Sequence, residues 1–166
     1  MKNESEIPVL VAEIKDELQR LEKVVESLAK RKGPLASEEI TDSTALRLHN
    51  LYTGCERIFK RIVAEVNGIA LQDLDWHKRL LNQMALEIKE VRPAIITPET
   101  RRDLEALLRF RHVVRNFYGY ELVPERIEPL VSLCVALYPR FVHEVENFIT
   151  FLNGIYHSSR RLSSHE

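Results

Sequence analysis

Cysteine and glycine are scarce in this 166-residue chain, at two and five residues. Cys55 and Cys134 stand far apart and form no CxxC pair. That excludes a disulfide framework and a cysteine zinc site, and it suits a reducing, cytoplasmic setting. The net charge is -1, so no global basic field marks the chain as a bulk nucleic-acid binder. Any such site must be a local patch. No apolar run approaches the ~20 residues that span a bilayer. The opening Met1–Glu6 is polar and acidic, unlike a signal peptide. Phosphate-cradling glycine loops, HExxH and the Glu-x-x-His signature of di-iron bundles are all missing.

What is present is heptad spacing. Ile7, Val11, Ile14, Leu18, Leu21, Val25 and Leu28 alternate steps of four and three, which predicts a first helix from about Glu4 to Lys32, ended by Gly33-Pro34. A polar loop to Asp42 is expected next, with Glu38-Glu39 solvated in it. The second helix is expected from Asp42-Ser43, with Leu48, Tyr52, Cys55, Phe59, Ile62 and Val66 inward, to Asn67-Gly68. A third is predicted over Asp73 to Arg92, with Trp76, Leu80, Met84, Ile88 and Val91 inward, before Pro93. Thr97-Pro98 opens a fourth that runs towards Tyr118 and stops at Gly119. The fifth starts near Pro124 with a kink expected at Pro139, and the polar tail after His157 is expected to fray. Five amphipathic helices with short connections predict an all-α antiparallel bundle. Its single domain covers residues 1–158, with a polar tail at 159–166. The long stripes serve either packing within the monomer or a dimer seam.

Asp73, Asp75 and His77 fall together at a helix start, where capping is a stronger reading than metal binding. His143 and His157 have no partner at ligand spacing, and Arg160 and Arg161 belong to a charged tail.

The informative stretch runs from Arg109 to Tyr120. Helical spacing places Arg111 on the face of Leu104, Leu107, Leu108, Val114 and Tyr118. An unpaired guanidinium on an apolar stripe is costly, so Arg111 either meets an acid or lines a cleft that awaits an anion. Arg109, His112 and Asn116 share the adjoining face. Five arginines against Asp103 and Glu105 make the window from Arg101 to Tyr118 a local basic patch.

Arg111-His112-x-x-x-Asn116-x-Tyr118 resembles the HEPN superfamily motif: an arginine, a polar residue, then a histidine, followed in the HepT branch by a tyrosine two positions on. The resemblance implies a helical bundle that dimerises and joins two motif copies in one cleft. It implies a metal-independent ribonuclease toxin without cofactor, partnered by a small nucleotidyltransferase antitoxin that modifies the tyrosine. Arg111 matches the motif arginine and Tyr118 the motif tyrosine. His112 stands at the polar position, and Asn116 replaces the histidine. RNA cleavage needs a base for the 2′-hydroxyl proton and cations for the phosphate. Asparagine has no titratable nitrogen. Two readings follow. In one, His112 is the base, Arg111 and Arg115 hold the phosphate together with Arg109, and Asn116 orients the substrate. In the other, the site is degenerate and binds RNA or a protein without cutting. A plain helical scaffold is the third class.

Overall fold

In the computed structural model, residues 6–31, 33–67, 76–115 and 122–163 are described. They form five helices: α1 (Ile7–Ala29), α2 (Glu38–Ile62), α3 (Trp76–Met84), α4 (Pro98–Arg115) and α5 (Pro124–Ser163). A π-helical turn, Val63–Asn67, extends α2. No strand occurs among the described residues, which hold only an isolated bridge between Ile88 and Arg92. The all-α bundle expected from the heptads is what forms.

The apolar stripe of α1 is buried throughout: Ile7, Leu10, Val11, Ile14, Leu18, Leu21, Val25 and Leu28. It packs on α2 and α5. Helix α2 touches every other helix and is the spine of the bundle. Gly54 lets α1 close onto it, because a Cβ there would run into the Leu21 side chain and stand 2.8 Å from Glu17 Oε1. Phe59 of α2 meets Phe141 of α5 edge-to-face, with ring centroids 5.8 Å apart. Tyr138 of α5 donates to the Leu18 carbonyl at 2.6 Å, and burial pushes its phenol pKa up.

Several boundaries differ from expectation, most clearly at α2, α3 and the end of α5. Helix α2 begins at Glu38, before Asp42, because Ser37 caps it: Ser37 Oγ accepts from the Ile40 amide at 3.3 Å. Glu38 and Glu39 thus occupy the first turn, where carboxylates suit the positive end of the helix dipole, and are not loop residues. Helix α3 stops at Met84, short of Arg92. The buried Arg92 folds back and donates to the carbonyls of Gln83 (2.9 Å), Leu86 (3.1 Å) and Pro93 (3.0 Å). It therefore satisfies acceptors that a longer helix would have used itself. Ile95 and Ile96 turn inward where Ile88 and Val91 were expected to point, and Val91 is exposed. Helix α5 continues through Pro139 and beyond His157.

Helix α4 is fixed at its start by polar contacts. Thr97 Oγ1 accepts from the Thr100 amide at 3.2 Å. Arg140 of α5 reaches Glu99 at 2.7 Å, Thr100 Oγ1 at 2.9 Å, and Asp103. No helix among the described residues is long and apolar enough to cross a membrane.

Truncating Phe141 to alanine is expected to lower the unfolding free energy by about 3–5 kcal/mol, because it opens a cavity at the α2–α5 contact. A urea titration of both proteins checks this.

Candidate functional site: a buried guanidinium where three helices meet

Helices α2, α3 and α4 converge on Arg111. Leu104, Leu107 and Leu108 are buried as the spacing predicts, Val114 is half-buried, and Arg111 is buried with them at 7 % exposure. Its immediate partner is an imidazole. Arg111 Nη1 donates to His77 Nε2 at 3.4 Å. His77 Nδ1 in turn is hydrogen-bonded to Glu56 Oε1. Glu56 is 3 % exposed, and its second oxygen lies 3.6 Å from Lys60 Nζ. The Trp76 and His77 rings lie 3.5 Å apart, and Lys60 Nζ sits 4.0 Å over the Trp76 ring.

Donor and acceptor chemistry fixes the protons. A guanidinium only donates, so His77 Nε2 must carry the lone pair. The proton is then on Nδ1, aimed at the Glu56 carboxylate. A doubly protonated ring would set N–H against N–H. Burial also lowers the His77 pKa; the Glu56 carboxylate opposes that shift, and the nearby charges of Arg111 and Lys60 add to it. The phenol of Tyr52, one turn before Glu56, is pushed up by burial and by that carboxylate.

His77 is therefore not a surface cap, as its position beside Asp73 and Asp75 had suggested. Its ring is a buried link between an acid of α2 and a cation of α4. Asp73 and Asp75 lie outside the described residues, and no group of three or more metal-ligating side chains occurs among the described ones.

His112 is exposed, with its ring 6.0 Å from that of His77 in an edge-on arrangement. Two imidazoles thus flank Arg111, one buried and one open to solvent. Arg109 is exposed and 3.9 Å from Glu105, which also faces Lys78 at 3.9 Å and Arg101 at 3.0 Å. Asp103 is taken by Arg140 of α5. The expected basic patch keeps its positive surplus, since one glutamate faces several cations. Helix α4 is described up to Arg115. The Arg115 side chain, Asn116 and Tyr118 lie outside the described residues. Cys55 and Cys134 are buried and free, and burial pushes the Cys134 thiol up to about 12 and Cys55 higher still. Neither thiol is available as a nucleophile.

Spacing within one helix could not reveal Glu56 or the role of His77. The available signal was weak: an acid one turn after Tyr52, beside the α2 stripe.

The described residues form an all-helical bundle whose α4 carries a buried arginine. The family described as HepT-like protein matches residues 43–152, and the chain belongs to it. No curated protein matches the chain.

The neutral His77 sets a pH dependence of stability. Glu56 and Lys60 face it from α2, and Arg111 and His112 from α4. Its folded pKa lies below the unfolded value, so below pH ~6.5 the unfolded chain takes up a proton that the folded chain refuses. Stability is expected to be full above pH ~6.5 and to fall below it, by at most about 1.4 kcal/mol per pH unit from this group. Urea melts at pH 7 and pH 5.5 should show the drop in the wild type and a smaller one in His77→Gln.

Proposed function

We propose that this HepT-like chain is a metal-independent endoribonuclease toxin that acts as a homodimer and is paired with a nucleotidyltransferase antitoxin. The reading rests on one observation above all: a buried Arg111 guanidinium with no carboxylate bonded to it among the described residues, next to the exposed imidazole of His112. A cation placed at such cost on an apolar face suits an anion from outside the protomer.

In this reading α4 of two subunits lines one cleft, with the exposed face carrying Arg109, His112 and Val113 turned towards it. His112 removes the 2′-hydroxyl proton, and the resulting oxygen attacks the adjacent phosphorus. The bond to the 5′-oxygen breaks to leave a 2′,3′-cyclic phosphate, and that oxygen takes a proton from water as it leaves. Arg111 stabilises the charge that builds on the phosphate oxygens. Arg109 and Arg115 bind flanking phosphates, and Asn116 orients the substrate by hydrogen bonds. The hydroxyl of Tyr118 is the acceptor that the antitoxin modifies.

A second reading has a specific support. Asn116, at the place of the motif histidine, has no titratable nitrogen, which favours a site that binds RNA or a protein without cutting.

Incubation of RNA with the purified protein separates the two. The nuclease reading expects fragments with the wild type, a loss of about 10²–10³-fold in rate with Arg111→Ala, and about 10²–10⁴-fold with His112→Ala. RNA that survives equally with wild type, variants and buffer removes the enzyme and leaves the binding module.

A further inference from the structure

A residue outside the α4 motif governs how Arg111 presents its charge, and the case for it rests on the proposed anion site. We propose that His77, oriented by Glu56, is a positioning residue that fixes the Arg111 guanidinium without neutralising it, so that a phosphate oxyanion binds there.

The arrangement differs from an ordinary buried ion pair in one respect. A glutamate set directly against Arg111 would bind it bidentately and cancel its charge. Here the acid stands one imidazole away. Glu56 gives one oxygen to His77 Nδ1 and turns the other towards Lys60. His77 is neutral, since its Nε2 must accept from Arg111. One carboxylate thus answers two cations, Lys60 and Arg111, and the cluster keeps a full positive charge among the described residues. The imidazole passes on orientation and withholds the countercharge.

A second observation points to a ligand. Arg111 Nε is buried and has no hydrogen-bond partner among the described residues. A buried charged donor left without an acceptor is costly, and an incoming phosphate oxygen supplies the acceptor. Trp76 against the His77 ring, with Lys60 over its own face, keeps the imidazole from swinging away.

The test uses the full chain, ¹⁵N NMR of its histidine rings and arginine Nε–H groups, and inorganic phosphate as the probe. At pH 7 His77 should be neutral with its proton on Nδ1. Phosphate should shift the Arg111 Nε–H and His77 Nε2 signals saturably. His77→Gln should weaken phosphate binding about tenfold or more, the scale of one lost hydrogen bond to a charged group. A charged His77, a proton on Nε2, or signals that ignore phosphate would overturn the proposal, and these readouts need only the wild type should His77→Gln fail to fold. Parallel RNA assays keep the two proposals apart. Phosphate bound through Arg111 with RNA left intact refutes the nuclease and upholds the role of His77. RNA cleavage with unchanged kcat/KM and phosphate affinity in His77→Gln does the reverse.

Discussion

The guanidinium on the apolar face of α4 is the constraint on which the rest depends. Leucine at that position would satisfy the core and demand nothing. Arginine demands a partner with a lone pair, a route for its charge and a place on the α2–α3–α4 junction where both can be met. His77 supplies the lone pair, and Glu56 holds His77. Lys60 takes the remaining oxygen of Glu56. Each link is set by donor and acceptor identity, and reversing the His77 tautomer would break both bonds of the ring at once.

The bundle serves this junction by holding α2 rigid. Gly54 seats α1 closely on one side of it, Phe59 locks it to α5 through Phe141, and Arg140 ties α5 to the start of α4. Glu56 sits between these anchors, so its carboxylate is held by packing. The exposed half of the site, Arg109 and His112, then projects from a helix whose inner half is immobilised.

Much of this was legible in the spacing of residues. The α1 stripe and the burial of Arg111 follow from the 3.6-residue period, and the cap at Thr97-Pro98 follows from the residue types there, because each depends on neighbours close in the chain. The departures depend on side-chain contacts outside the periodic pattern, two of them local and one between residues far apart in the chain. Arg92 ends α3 early by capturing its carbonyls, and no periodic pattern encodes that capture. Glu38 and Glu39 looked like loop until Ser37 made them a first turn. His77 looked like a cap because its neighbours are aspartates, whereas its partners lie 21 positions before it and 34 after it. The family motif drew attention to α4 and left the two residues that hold its arginine unmarked.

The stability of Arg111→Met is the most direct measure of whether that charge is kept for an external anion. Methionine fills the same space without charge, while Glu56 keeps Lys60 and His77. If Arg111 is a surplus cation, the unfolding free energy in urea stays within about 1 kcal/mol of the wild type or rises. A loss of about 3–5 kcal/mol would instead mark Arg111 as the structural counter-ion of Glu56, and contradict a charge kept for phosphate.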